Sequence, residues 1–282
     1  MTTVTLGLWL AAFSALMTAL AHASIKSGSD KLAVQAWVRL FGVAIALPVA
    51  LRIGPPPGYL WPWLLAAAAV HAVYQALLSF SYTISDFSVA YPISRGTAPI
   101  LTAAMGVVLL GDTLSGWLAI SIVIVSAGIL LLAAGGRLSR AGLFAAMTTG
   151  MLTTAYSLID ARGMRLSPDL LTFVAWFLVL DGIAMPLLFA VRRGANAPAA
   201  FRAEWRSGST AAIMSPVSFI PALYAFALAP VGAVAAIRES SVLIGMIVAG
   251  RVLGETVDTR RVAGAALVTI GIVGVIAATT YN

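Results

Sequence analysis

Charge is scarce in this chain. Lys, Arg, Asp and Glu make up 10% of its 282 residues while 61% are hydrophobic, against about 25% charged in an ordinary soluble domain. A water-soluble fold of this size has too little interior to hide so much apolar surface. Cysteine is missing, which excludes disulfides, thiolate catalysis and cysteine-based metal sites and leaves the redox compartment open. The two histidines and scattered acids are too sparse for a metal cluster, and no HExxH, GxxxxGK(S/T) or GxSxG motif occurs. No metal, cofactor or enzymatic centre is therefore expected, and without an ATP site the energy for any work comes from an ion or solute gradient, or from none. The net charge of +7 would suggest nucleic acid in a soluble protein. Here Lys and Arg sit mainly between apolar runs with no aromatic-interleaved basic face, so they read as charges that set topology, with no nucleic-acid partner.

What the chain has instead is about ten apolar runs, each near the roughly 20 residues that cross a bilayer. They are expected at Thr5–Ser24, Leu32–Leu51, Trp61–Tyr82, Phe87–Leu110 and Trp117–Ala134, then Leu143–Asp160, Leu170–Val191, Ser209–Ala229, Val231–Leu253 and Val262–Ala278. Ala21-His22-Ala23 resembles a signal-peptide cleavage site, but nothing basic precedes the first run, which is expected to stay. The longest connector, Arg192 to Ser207, is too polar for lipid and reads as a solvated loop. Gly128, Gly264, Gly271 and Gly274 suit close backbone contact between the fifth and tenth runs.

The two halves repeat one another. Gly111-Asp112-Thr113 and Gly254-Glu255-Thr256 close apolar runs 143 positions apart, and the same offset carries Arg95 onto Arg238. The expected fold is an all-α polytopic membrane protein of ten transmembrane helices, in two five-helix repeats over residues 1–138 and 139–282. An odd number of helices per repeat inverts the second copy, the plan that lets one bundle rock against another around a midplane site. Sorting the connectors by side puts eleven Lys and Arg on one side and Arg52, Arg162 and Arg165 on the other. The positive-inside rule then makes the first side cytoplasmic and both termini external.

Charges within membrane helices are costly, so those that remain are functional candidates. Away from run ends these are Arg39, Arg95, Asp181, Arg238 and Glu239. Arg39 and Asp181 are nearly repeat-equivalent, and a structural pair is one reading of them. Arg95 follows Tyr91-Pro92, with Pro99 beyond it, a context expected to break the helix locally. Its guanidinium suits a carboxylate or another planar anion. Arg238-Glu239-Ser240-Ser241 is the densest polar cluster in any run. A carboxylate in a desolvated site is suited to proton exchange, which makes Glu239 the coupling candidate. His71, Tyr74, Gln75 and Tyr82 recur at helical spacing and should line a cavity. Trp9, Phe13, Trp37, Tyr156, Trp176 and Tyr224 are possible aromatic walls. The substrate-binding candidates are thus His71, Tyr74, Gln75, Tyr82, Tyr91, Arg95, Arg238, Glu239 and Ser240.

Trp37-Val38-Arg39-Leu40, Pro92-Ile93-Ser94-Arg95, Ile237-Arg238-Glu239-Ser240-Ser241-Val242-Leu243 and the paired Gly-Asp-Thr and Gly-Glu-Thr ends together resemble the EamA family of the drug/metabolite transporter superfamily. The resemblance implies ten helices in two inverted repeats and secondary transport of small metabolites, commonly export of amino acids. The protein is therefore expected to be a monomeric, multi-pass secondary transporter of the inner membrane that exports amino acids, aromatic or otherwise amphipathic, or related small metabolites by alternating access. The alternatives are transport of a cationic or quaternary ammonium solute, held by Glu239, Asp181 and aromatic rings, and an intramembrane lipid-modifying enzyme.

Overall fold

The computed structural model describes residues 2–84, 87–133, 140–244 and 259–280, with side chains except at 22–23, 26–27, 78–94, 133 and 141–142. Helices account for nearly all of these residues, and no strand occurs among them. Long helices are α1 (Thr3–Ser27), α2 (Lys31–Ile53), α3 (Trp61–Ile84), α4 (Phe87–Leu110), α5 (Gly116–Ala133), α6 (Arg140–Leu166) and α7 (Leu170–Arg193). A short α8 (Ala197–Ala203) leads into α9 (Trp205–Leu228), α10 (Val231–Arg238) and α11 (Thr259–Thr280). Among the described residues, six helical stretches are long and apolar enough to cross a membrane, beginning at Thr3, Lys31, Gly58, Leu170, Trp205 and Thr259. Polarity runs inside-out: Trp9, Leu51, Val108, Trp117, Phe144 and Val191 are 66–76% exposed, whereas Ser14, Gln35, Arg95, Asp160, Asp181 and Glu239 are buried. That distribution suits a lipid surround and a polar interior, as a multi-pass membrane protein requires.

Helix ends follow local chemistry. Asp30 caps α2 through the amides of Leu32 and Ala33, at 3.1 and 3.3 Å. Asp169 caps α7 through Thr172 N at 2.8 Å. Each helix ends at a glycine of positive φ, Gly54 at +88° and Gly194 at +51°. Those glycines adopt backbone angles that a Cβ would oppose.

Packing is reciprocal. α1 lies on α9 as α6 lies on α3, and α4 meets α6 as α10 meets α1, while α2 pairs with α7, α5 with α11 and α4 with α10. As the glycine spacing predicts, α5 and α11 cross backbone to backbone. A Cβ on Gly128 would come within 2.8 Å of Val268 N, and one on Gly271 within 2.7 Å of Val125 N.

Several expectations need correction. α4 runs unbroken past Pro92 and Pro99; membrane helices tolerate proline where other groups or local adjustment serve the carbonyls it leaves without a donor. The sixth run was expected to stop at Asp160, yet α6 continues to Leu166, because Asp160 is fully buried and bonded to His71. The connector after α7 is no plain loop. α8 packs on α2, Phe201 stacks on Trp37 with centroids 4.3 Å apart, and Trp37 Nε1 donates to Phe201 O at 2.9 Å. The repeat-closing Gly254-Glu255-Thr256 lies outside the described residues.

Candidate functional site

The middle of the bundle holds a cavity of about 100 Å³, walled by residues of α1, α2, α3, α4, α6, α9 and α10. On α1 its wall runs from Thr18 to Ile25, so it extends from mid-helix toward the end where α1 turns into α2. Polar groups reach it at helical spacing. His71, Tyr74 and Gln75 lie on one face of α3, as predicted, and Gln35 and Arg39 lie four apart on α2. Gln35 Nε2 donates to Gln75 Oε1 at 2.9 Å, tying the two faces together.

Among the described residues, three acid–base pairs stand in or just behind the wall. Arg39 is bonded to Asp181, the pairing anticipated for them. His71 Nε2 lies 3.0 Å from Asp160 Oδ2, its ring 4.4 Å from Tyr156 and 5.2 Å from Phe219, centroid to centroid. Arg95 Nη1 donates to Glu239 Oε1 at 3.4 Å, and its Nη2 to the Tyr74 hydroxyl at 3.3 Å. The second Glu239 oxygen is buried with no hydrogen-bond partner among the described residues.

Arg238 differs from the others. It lines the cavity, its Nε donates to Ser14 Oγ at 3.2 Å, and its guanidinium carbon sits 5.8 Å from the Phe226 ring centroid. Among the described residues it forms no ion pair. Local backbone explains why Arg238 and Glu239 part company. α10 ends at Arg238, and a tightened turn follows in which Glu239 N reaches Ala236 O and Ser240 N reaches Ile237 O. Arg238 is thereby left on the cavity and Glu239 behind Arg95.

Of the predicted site residues, His71, Tyr74, Gln75, Arg95 and Arg238 meet at one cavity, with Glu239 one side chain back. Ser240 belongs to the turn and does not line the cavity. The side chains of Tyr82 and Tyr91 lie outside the described residues. Tyr156 is an aromatic wall as expected, but Trp9 and Phe13 are 66% and 45% exposed on the outer face. Trp176 is turned to Trp61 and to Gly54 O. Sequence reasoning missed Ser14, Thr18, Gln35, Asp160, Ser215, Ser218 and Phe219. Ser14 and Thr18, four apart within the first run, were a readable polar stripe.

The opposite end of the bundle is tied together by Arg165. Arg165 Nη1 and Nη2 meet the Asp112 carboxylate at 2.6 and 3.3 Å, while its Nε and Nη2 donate to the carbonyls of Phe226 and Ala229, each at 3.1 Å. Asp112 also accepts from Val231 N at 2.6 Å, at the start of α10. The Phe226 carbonyl is available because residue 230, which would supply its helical donor, is proline. Near the other end of α9, Glu204 binds the α1–α2 connector. It accepts from Ser29 N at 2.9 Å, Asp30 N at 2.8 Å and the Ser29 hydroxyl.

Residues 140–277 match the model of the EamA-like transporter family. No curated protein matches the chain. A solved crystal structure is similar over 96% of this chain and 95% of its own, with a TM-score of 0.74 and 18% identity, which shows a shared fold. Over residues 140–277 the chain is thus similar to the EamA-like transporter family, a family of small-molecule transporters.

Proposed function

We propose that this protein is a secondary transporter of the inner membrane that exports amino acids or similar amphipathic solutes, aromatic ones favoured, by alternating access between two inverted five-helix repeats, residues 1–138 and 139–282. The reciprocal helix packing and the matched Asp-to-Gly boundaries of α2 and α7 support the repeat. The positive-inside rule puts the closed Arg165–Asp112 end outside and the cavity toward the cytoplasm, a loading state for export. A monomer suffices, since the cavity is enclosed by one chain.

One observation carries the substrate class. Arg238 faces the cavity as a cation without a carboxylate among the described residues, and a solute carboxylate would complete it. Tyr74, Tyr156 and Phe219 offer the apolar wall for the solute's side chain, Gln75 a hydrogen-bonding tip, and Arg95, His71 and Ser240's neighbour Glu239 the polar surround. Glu239 keeps an unpartnered oxygen and is the coupling candidate. A cationic solute is the weaker reading, because Asp181, Asp160 and Glu239 already face Arg39, His71 and Arg95.

Counterflow in proteoliposomes tests this with labelled phenylalanine, phenylalaninamide and tetraethylammonium. Phenylalanine should exchange and the amide, which lacks the carboxylate, should not. Exchange of tetraethylammonium or of the amide in preference to phenylalanine would overturn the anion anchor. A reporter that works only in the cytoplasm, fused at Asn282, should stay silent.

A further inference from the structure

His71 and Asp160 form a buried base and acid to which the transport reading gives no proton-carrying task. The imidazole belongs to the cavity wall, whereas Glu239 stands behind Arg95. Asp160 is wholly buried, with Oδ2 on His71 Nε2 at 3.0 Å and Oδ1 without a hydrogen-bond partner among the described residues. A buried carboxylate satisfied on one oxygen only is costly unless its charge is matched close by. Histidine is the side chain whose charge ordinarily changes near neutrality.

The other groups that face this pair are Tyr74 on α3, Tyr156 on α6, Arg95 with Glu239, Arg39 with Asp181, and Arg238. The two arginine–carboxylate pairs each cancel. A His71–Asp160 pair holding one proton also cancels, which leaves Arg238 as the cation that an anionic solute answers. Loss of that proton leaves Asp160 as a buried anion just behind the wall of the cavity that Arg238 lines. The protein then answers Arg238 from inside and competes with the solute.

We propose that His71, oriented by Asp160, is a proton-binding residue of the cavity wall, and that its proton and the solute's anionic group bind together. The inference rests on Arg238 as the anion anchor. By linkage the proton must tighten the solute by the same factor as the solute tightens the proton.

The chain has two histidines, so nitrogen-15 NMR of the wild type, with His22→Gln for assignment, reads His71 directly. At a fixed pH, 3-phenylpropionate should raise the fraction of His71 rings that carry a second proton. A ring of constant charge, or one indifferent to phenylpropionate, overturns the proposal whether or not any variant folds. In proteoliposome counterflow, half-saturation by phenylalanine should weaken about tenfold as pH rises. His71→Gln and Asp160→Asn should abolish that dependence. A profile flattened by Glu239→Gln and left intact by His71→Gln refutes it. If wild type moves no phenylalanine at any pH, the transport reading fails, and the NMR titration still decides whether His71 binds the proton.

Discussion

Two arginines at different depths of the same bundle meet opposite fates. Arg165 makes four hydrogen bonds, two to Asp112 and two to backbone carbonyls, and joins the α4–α5 connector, the end of α6 and the break between α9 and α10. Arg238 faces the cavity with one bond to a serine hydroxyl and an aromatic ring beside it. A guanidinium with its fork filled fixes structure, whereas one left short of partners is available to a ligand. The contrast separates the closed end from the binding region more sharply than charge count does.

Breaking the closed end should have the largest effect. Asp112→Ala strands Arg165 and uncaps Val231 N, and should cost about 3 kcal/mol in unfolding free energy. Arg165→Ala added to it should cost little more, because the two act as a unit. A denaturant titration in detergent checks both, and additive costs would mean that the clamp is incidental. On the cavity side, Arg238→Gln should raise the half-saturation constant for phenylalanine counterflow about thirtyfold, roughly 2 kcal/mol, with little loss of stability. A variant that unfolds instead would make Arg238 a structural residue like Arg165.

Smaller effects sharpen the picture. Tyr74→Ala and Gln75→Ala should each weaken phenylalanine exchange by about 1 kcal/mol while the bundle stays folded. Wild-type exchange in both would reduce the α3 stripe to packing. The smallest effect concerns Glu204. Burial pushes its carboxyl upward, but the hydrogen bonds from the Ser29 hydroxyl and from the Asp30 and Ser29 amides, with Lys31 nearby, outweigh burial and hold it below the ordinary carboxylate value. Its stabilisation is therefore present above the unfolded-state value of about 4.3 and is lost as pH falls through the folded-state value. Glu204→Gln should be less stable than wild type at neutral pH, and the two melting curves should converge in acid.

Much of this was legible beforehand because a bilayer makes each intramembrane charge stand out. Arg39, Arg95, Asp181, Arg238 and Glu239 were found as polar residues in apolar runs, and the α3 stripe by its spacing. What stayed hidden depended on partners far away in sequence. Asp160 looked like a helix end until His71, 89 positions away, was placed beside it. Arg165 looked like a loop charge until Asp112 came within reach. The exposed faces of Trp9 and Phe13 could not be told from cavity faces, since aromatic rings suit both lipid and solute.

Pro230 has an influence beyond its own helix. By lacking an N–H it leaves the Phe226 carbonyl to Arg165, and with the Ala229 carbonyl this puts half of that clamp on uncharged backbone. Ionic strength, which weakens interactions between exposed charges with a screening length of about 10 Å at 0.1 M salt, acts mainly on the carboxylate half. The closed end should therefore hold in brine better than a simple ion pair would, and a proline on α9's far side becomes the reason.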